Sequence, residues 1–182
     1  MSAESSVAPE LSVEVRVPTA DAMRDLGTAL ATTLRADDVV LLSGPLGAGK
    51  TTLTQGIGRG LDVRGQVASP TFVLARVHQP RHEGPALVHV DAYRLGSAAE
   101  LDDLDLDTDL GSSVTVIEWG SGVAESLSDE RLEIVIDRDA GAGPEDELRV
   151  VRVTGVGARW ARIDLVTALR TTALRPPERP QA

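Results

Sequence analysis

Residues 44–51 read Gly-Pro-Leu-Gly-Ala-Gly-Lys-Thr and match the pattern G-x-x-x-x-G-K-[S/T] at every fixed position. Glycines at these positions permit positive φ angles, with which successive backbone N–H groups turn inward around a phosphate. The Lys50 side chain would reach the β- and γ-phosphates of a nucleotide, and the Thr51 hydroxyl would ligate Mg²⁺. Lys50 is the only lysine in the chain. The stretch therefore predicts a nucleotide-binding loop.

The segments on either side of this loop agree with that interpretation. Residues 39–42, Val-Val-Leu-Leu, are a continuous apolar run that predicts a strand buried on both faces. From Thr51 to about residue 59 the sequence predicts a helix, which we expect to be loosened by Gly56, Gly58 and Gly60. The N-terminus of a helix at this place would add its partial positive charge to the phosphate site. This context favours a nucleotide-binding loop over a chance Gly-rich turn.

The rest of the chain predicts a single α/β domain. Strand-like runs alternate with helix-like segments, which is typical of a mostly parallel sheet flanked by helices. A helix of roughly 14 residues is predicted after Thr19, because apolar residues recur there at helical spacing. Its apolar face comprises Met23, Leu26, Leu30 and Leu34, and a closing helix is predicted over 159–169. Further strands are predicted over 13–17, 72–77, 86–90, 114–117, 132–136 and 148–153.

The composition limits the class of protein. The 182 residues include 18 basic and 28 acidic side chains, a formal net charge of −10, and no cysteine. The lack of cysteine excludes disulfides, thiolate zinc sites and a cysteine nucleophile. The net acidity disfavours a DNA-binding surface, and no apolar run is long enough for a membrane helix. We expect one cytoplasmic domain over residues 11–174, with disordered tails at 1–10 and 175–182.

Carboxylates follow two of the predicted strands. Asp91 ends the run Ala-Leu-Val-His-Val, and Glu118 ends the run Val-Thr-Val-Ile. The carboxyl ends of parallel strands form the ligand crevice of such sheets, so both side chains are expected beside the Gly-rich loop. There they could hold the water shell of a metal ion or orient an attacking water. The alternative is that each is only the first polar residue after a core strand.

Three further features have less specific interpretations. Thr71, in the segment Ser-Pro-Thr-Phe, could sense a γ-phosphate as a switch threonine does, although Ser-Pro also commonly starts a turn. Trp119, next to Glu118, suits either nucleotide stacking or a partner contact. The three histidines, His78, His82 and His89, have no metal-binding spacing, so surface or strand-pairing roles are expected for them.

Together these motifs resemble the bacterial TsaE family, also called YjeE-type, which are small P-loop ATPases of tRNA threonylcarbamoyladenosine biosynthesis. The likeness extends over most of the chain, from residue 26 to residue 136. It implies a P-loop NTPase fold that includes some antiparallel strands. The segments that carry it are GPLGAGKTT at 44–52, SPTF at 69–72, HVDAYRL at 89–95 and IEWG at 117–120.

The resemblance also implies ligands and partners. Proteins of this family bind ATP and Mg²⁺ and act with TsaB- and TsaD-type proteins, which transfer threonylcarbamoyl to the adenosine beside the tRNA anticodon. ATP hydrolysis would support repeated rounds of that reaction, with low activity in the isolated chain. The acidity of this chain suggests that tRNA is contacted mainly through the partners.

The resemblance assigns roles to individual residues as well. It implies that Thr51 and Glu118 ligate Mg²⁺, that Asp91 acts in hydrolysis, that Thr71 belongs to the switch segment and that Trp119 has a further functional role. The residues implied to contact the nucleotide are Leu46, Gly47, Ala48, Gly49, Lys50, Thr51 and Thr52, with Thr19 as a looser match.

Other functions of a P-loop protein stay open to different degrees. A guanine-specific GTPase is excluded, because its N-K-x-D motif needs an asparagine and a second lysine that the chain lacks. A small-molecule kinase usually has a basic lid, whereas the segment between Asp91 and Glu118 has six carboxylates within residues 100–109. A nucleotide-gated assembly factor that does not hydrolyse ATP is the third alternative, because Glu118 could hold a metal without activating water.

Overall fold

The structure, a computed structural model, describes residues 11–70, 73–94, 111–122, 124, 127–138 and 148–173. Several sequence predictions lie outside these residues. They are the disordered tails at 1–10 and 175–182, the switch residue Thr71 and the acidic segment at 100–109.

The described residues form one sheet of seven strands, flanked by helices. The strands are β1 (Leu11–Val17), β2 (Val39–Ser43), β3 (Ala75–His78), β4 (Ala86–Asp91), β5 (Ser113–Glu118), β6 (Arg131–Arg138) and β7 (Arg149–Val156). Their order across the sheet is β1-β7-β6-β2-β5-β4-β3. The four central strands, β6, β2, β5 and β4, run parallel, and the outer strands β1, β7 and β3 pair antiparallel. This confirms the predicted α/β class with its parallel centre and additional antiparallel strands.

Strand β2 is buried on both faces, as its apolar run predicted. Val40 and Leu42 join the larger core cluster, which also contains the buried faces of the helices. Val39 and Leu41 point to the other face and pack in a smaller cluster with residues of β4 and β5. The loop that follows β2 is therefore anchored on the most central strand of the sheet.

Helices α1 (Ala20–Ala31), α2 (Lys50–Gly60) and α3 (Leu165–Ala173) pack on this framework. Helix α2 is continuous, so the expectation that its glycines loosen it is wrong. Gly56 instead permits close helix packing, since a Cβ there would lie 2.1 Å from the Arg24 carbonyl oxygen on α1. The Thr28 hydroxyl on α1 donates to the Gly56 carbonyl in the same contact. Helix α2 is thus held rigidly behind the loop from which it starts.

Several element boundaries differ from the sequence predictions by a few residues: α1 ends at Ala31, so Leu34 lies beyond it, and two elements differ more. Strand β3 begins at Ala75, not at residue 72, because the chain turns first: the N–H groups of Val73 and Leu74 both donate to the Pro70 carbonyl. Leu74 has a φ of 65°, which is incompatible with a strand. The predicted closing helix over 159–169 is divided into a short 3₁₀ turn, Trp160–Arg162, and helix α3.

Candidate functional site

The Gly-rich loop, residues 44–49, has the backbone that its sequence predicted. Gly44, Gly47 and Gly49 have φ angles of 143°, 76° and 112°. At Gly44 a side chain is also excluded by space, because a Cβ would lie 2.2 Å from the Ile136 carbonyl oxygen. Gly49 occupies the N-cap position of α2 and supplies no side-chain cap. The first N–H groups of α2 and the loop therefore form an anion-binding terminus of the kind that phosphates occupy.

Lys50 is held over this loop by backbone and aromatic contacts. Its Nζ donates to the carbonyl oxygens of Gly44 and Pro45 at 2.8 and 3.0 Å. Burial lowers the pKa of Lys50 from its ordinary 10.5, while the carboxylates of Glu118 and Asp91 oppose that shift. The ammonium thus lies at the centre of the site with weak, neutral partners that an anionic ligand could replace.

Trp119 covers Lys50 on one side. The Lys50 Nζ lies 3.7 Å from the centre of the Trp119 ring, which is a cation–π contact. Trp119 has a φ of 62°, an unusual conformation for a large side chain, and it directly follows the end of β5. Its ring also meets the exposed Tyr93 ring at 5.1 Å between centres. The strained turn after β5 thus directs an aromatic ring toward the Gly-rich loop.

Thr51 and Glu118 come together although they are far apart in sequence. The Thr51 hydroxyl, on the first turn of α2, donates to Glu118 Oε1 at 2.8 Å. The parallel pairing of β2 with β5 brings Glu118 opposite Leu42, just before the Gly-rich loop. Glu118 is buried, with an exposed fraction of 3%. A hydroxyl and a carboxylate at this distance are hard oxygen donors of the kind that Mg²⁺ prefers.

His89 belongs to the same cluster, which the sequence analysis did not predict. Its Nε2 lies 2.8 Å from Glu118 Oε1, and its side chain is completely buried on β4. A surface role for His89 is therefore wrong, whereas the strand-pairing alternative holds, because His89 lies in β4 between β3 and β5. A signal was available, because His89 precedes Asp91 by two residues in an otherwise apolar strand and so shares its face of the sheet.

Asp91 lies at the end of β4, directly opposite Glu118 in the parallel register. Its N–H donates to the Leu74 carbonyl, and its Oδ1 accepts from the Tyr93 N–H at 3.1 Å. The Ser69 hydroxyl approaches its Oδ2 at 3.4 Å. Asp91 thus connects the carboxyl end of β4 to the segment that leads into Thr71, which itself lies outside the described residues.

A pocket beside the loop brings in residues from both ends of the chain. Its lining includes the predicted Thr19 and Thr52, together with Arg149 at the start of β7, which no motif indicated. Thr19 also caps α1, since its hydroxyl oxygen accepts from the Ala22 N–H. Among the loop residues, Ala48 is buried, whereas Leu46 is 88% exposed at the tip. The pocket extends from the Gly-rich loop toward the β1 side of the sheet.

The donor set at the loop suits a metal that is held jointly with phosphate. In the described part of the chain, no three acidic or histidine side chains are grouped as a metal cage. Thr51 and Glu118 offer only two protein ligands, and Mg²⁺ is commonly bound by one or two side chains plus phosphate oxygens and water.

None of the described helices has the length and apolarity of a membrane-spanning segment.

Comparisons with known proteins agree on one family. The family model described as "Threonylcarbamoyl adenosine biosynthesis protein TsaE" matches residues 17–145. The chain is 60% identical over 144 residues to the tRNA threonylcarbamoyladenosine biosynthesis protein TsaE of Streptomyces coelicolor, covering 79% of this chain and 97% of that protein. The protein of the same name from Bacillus subtilis is 42% identical over 125 residues, covering 68% of this chain and 73% of that protein.

A solved structure extends the likeness to three dimensions. The crystal structure of Bacillus subtilis YdiB superposes with a TM-score of 0.67 at 30% identity. The match covers 91% of this chain and 97% of that one.

Proposed function

This chain belongs to the TsaE family of threonylcarbamoyl adenosine biosynthesis proteins, and from that premise we propose that it binds and hydrolyses ATP with Mg²⁺. The Lys50, Thr51 and Glu118 cluster carries the proposal. It combines a phosphate-binding terminus with a hydroxyl and a carboxylate 2.8 Å apart at the carboxyl end of the central strands. This is the combination of parts that P-loop hydrolases use on a nucleoside triphosphate.

The loop residues bind the phosphates in this proposal. Residues Leu46 to Thr52 would hold the phosphates largely through backbone N–H groups, where the partial charge of the α2 N-terminus favours an anion. Lys50 leaves the Gly44 and Pro45 carbonyls and donates to phosphate oxygens, which are stronger acceptors for an ammonium group. ATP binding therefore exchanges neutral partners of Lys50 for charged ones.

Thr51 and Glu118 would hold the metal ion, Glu118 with its carboxylate and Thr51 with its hydroxyl oxygen. When bound, Mg²⁺ supplies charge neutralisation at the β- and γ-phosphates during phosphoryl transfer. Glu118 is restrained by its buried strand, so its carboxylate is already directed at the Thr51 side chain. The side chains therefore need little reorganisation to receive the ion.

Asp91 orients the attacking water in this proposal. Its position opposite Glu118 places it at the same sheet end, and Lys50 is within its electrostatic reach. Thr71 belongs to a switch segment that follows the Ser69 contact with Asp91, so the state of the γ-phosphate can be transmitted to Asp91 through this segment. Trp119 contributes its ring to the mouth of the site beside Lys50.

The pocket that contains Thr19, Thr52 and Arg149 takes the nucleoside part of ATP. It adjoins the loop on the side away from Glu118, so a nucleotide with its phosphates at the loop extends into it. The Arg149 guanidinium offers a planar cation for stacking on a purine. Arg149→Ala is expected to weaken ATP binding, with a smaller effect on inorganic triphosphate.

TsaB- and TsaD-type proteins are the proposed partners in the cytoplasm. We propose that the assembled complex accelerates ATP hydrolysis, which supports repeated rounds of threonylcarbamoyl transfer to tRNA. The net charge of −10 disfavours a large contact of this chain with the RNA backbone. The tRNA is therefore bound mainly by the partners.

Steady-state ATP hydrolysis tests the proposal. The purified chain is assayed alone and with TsaB- and TsaD-type partners, with Lys50→Ala as the inactive variant and Arg59→Ala, an exposed change on the same helix, as the matched control. We expect a low basal rate that rises with the partners and depends on Lys50 and Mg²⁺.

Other outcomes would contradict the proposal in distinct ways. Transfer of phosphate to an added small-molecule acceptor, without a rise on adding partners, would favour a kinase. ATP binding with no turnover under any of these conditions would favour a nucleotide-gated assembly factor.

A further inference from the structure

His89 is a buried polar side chain in a strand whose other buried positions are apolar up to Asp91. A buried imidazole loses its hydrogen bonds to water, which destabilises the folded state unless a protein group replaces them. The partner here is the Glu118 carboxylate, at 2.8 Å from Nε2. The same Oε1 atom accepts the Thr51 hydroxyl at 2.8 Å. His89 is therefore bonded to the carboxylate on which the proposed metal site depends.

We propose that His89 is a positioning residue for Glu118, which deepens and rests on the proposed function. From β4, the strand next to β5, His89 holds the Glu118 carboxylate in the orientation that receives the ion. Both hydrogen bonds that described residues make with the Glu118 side chain fall on Oε1. Oε2 accepts no hydrogen bond from a described residue, so in this proposal it is the atom that takes the ligand. Partners of this kind orient the ligands of many metal sites.

The surroundings of the ring determine its tautomer. His89 Nδ1 is buried and has no hydrogen-bond partner among the described residues. A proton on Nδ1 would be a buried donor without an acceptor, and it would leave the Nε2 lone pair facing a carboxylate oxygen. The Nε2–H tautomer avoids both costs, because it donates to Glu118 and leaves only an acceptor in the apolar environment. His89 is therefore a hydrogen-bond donor to Glu118.

The chain offers a matched control in His78. This second buried histidine lies on β3, next to β4, and its Nε2 likewise has no partner in the part of the chain that the structure describes. Its exposed fraction is 6%, and no contact joins it to Glu118 in that same part. The two histidines thus share burial and the sheet, and they differ in their partners: His89 contacts the Glu118 carboxylate, whereas His78 is hydrogen-bonded to the backbone of Arg64.

The test compares the factor by which saturating Mg²⁺ tightens ATP binding in four proteins. We expect His89→Leu to reduce this factor about 10-fold or to abolish it, the usual effect of losing such a partner, with ATP affinity in EDTA unchanged. His89→Gln, whose amide reaches the position of Nε2, should retain most of the factor, and His78→Leu should match the wild type. Equal factors for His89→Leu and the wild type would overturn the proposal, as would equal losses in His89→Leu and His89→Gln.

A second measurement needs neither nucleotide nor metal, so it separates this proposal from the proposed function. Imidazole ¹⁵N chemical shifts of the wild-type chain report the tautomer of each of the three histidines, assigned through His78→Gln and His82→Gln. We expect the Nε2–H form for His89, and the Nδ1–H form would overturn the proposal even if every variant failed to fold. If His89 has the Nε2–H form but Mg²⁺ does not change the ATP affinity of the wild type, the result would instead contradict the metal role of Glu118.

Discussion

The two ends of the central strands contain similar chemical groups, but these groups have different partners. At the carboxyl end the Lys50 ammonium lies 3.7 Å from the centre of the Trp119 ring, beside the buried Glu118. At the amino end the Arg159 guanidinium lies 4.2 Å from the Trp160 ring, beside the buried Asp38. Each end thus combines a cation, an aromatic ring and a buried carboxylate.

The difference lies in what these charges bind. Arg159 Nη2 donates to Asp38 Oδ2 at 2.6 Å and to the Thr33 carbonyl at 2.9 Å, so the two charges satisfy each other. Among the described residues, Lys50 donates only to neutral carbonyls of its own loop, and Glu118 accepts from Thr51 and His89. The amino end is closed by an ion pair, whereas the carboxyl end is arranged to receive a charged ligand. Stability should therefore depend on the first cluster and ligand binding on the second.

Removing Asp38 should have the largest effect. Asp38→Ala removes the hydrogen-bonded carboxylate partner of Arg159, whose side chain is 10% exposed, and breaking one side of such a pair costs up to about 3–5 kcal/mol of unfolding free energy. Urea denaturation measures this loss, and ATP affinity of the folded fraction should stay unchanged. Asp37→Asn is the matched control, since it removes an adjacent but exposed charge at a position with a φ of 76°. A loss of less than about 1 kcal/mol for Asp38→Ala would remove the distinction between the two ends.

Removing Lys50 should have the reverse pattern. Lys50→Ala removes charge-assisted hydrogen bonds to phosphate. ATP should therefore bind about 100-fold more weakly, which corresponds to a loss of about 3 kcal/mol in binding free energy. The unfolding free energy should change by less than about 1 kcal/mol, because the burial of the ammonium offsets its bonds to Gly44 and Pro45. Calorimetric titration with ATP measures the first quantity and denaturation the second. Unchanged ATP affinity would contradict the assignment of the loop.

Glu118→Gln should separate metal function from nucleotide binding. The amide keeps the volume of the side chain but not the charge that a metal requires. We expect Mg²⁺-dependent ATP turnover to fall about 10- to 100-fold, while ATP affinity in EDTA changes less than about threefold. Turnover is measured with saturating partners and ATP. Turnover equal to the wild type would exclude Glu118 from the mechanism.

The smallest expected effect is a pH dependence of stability at the carboxyl end. Burial lowers the pKa of Lys50 below 10.5, so the folded state releases this proton more readily than the unfolded chain. The unfolded state then binds more protons between the two pKa values, and stability must rise with pH through that interval. Relative to Lys50→Met, the wild type should therefore become more stable as the pH rises toward 10.5.

This pH effect can be isolated, because Lys50 is the only lysine and Tyr93 the only tyrosine. Both proteins are compared in a Tyr93→Phe background, which removes the phenol from the alkaline range. If the difference in stability between the wild type and Lys50→Met does not change with pH, burial does not lower the pKa of Lys50.

The central fold and part of the site could be predicted from local sequence signals. The loop at 44–51 has a motif because its backbone geometry requires glycine at fixed positions. The positions of Glu118 and Asp91 could be predicted because each carboxylate directly follows an apolar run, which marks the end of a strand in the sequence. Parallel strands bring such ends together. These predictions depend on neighbours in sequence or on a general rule of sheet topology.

The parts that could not be predicted depend on contacts between distant segments. Arg149 reaches the pocket only because β7 pairs antiparallel with β1 and β6, which no local pattern specifies. The role of Gly56 in α2 could not be predicted either, because the Arg24 carbonyl that leaves no space for a side chain there belongs to α1. The strand predicted over 72–77 is present as β3, but its predicted start was wrong, because Leu74 has a positive φ in a turn closed by the Pro70 carbonyl.

The fluorescence of the two tryptophans tests the contrast between the ends most directly. ATP with Mg²⁺ is titrated into Trp160→Phe, which reports on Trp119, and into Trp119→Phe, which reports on Trp160. In the proposed complex the Lys50 ammonium moves from the Trp119 ring toward the phosphates, so we expect a saturable change in the first protein that is abolished by Lys50→Ala. The second protein should bind ATP without a change in its signal. A saturable change from Trp160, with none from Trp119, would contradict a nucleotide site at the carboxyl end.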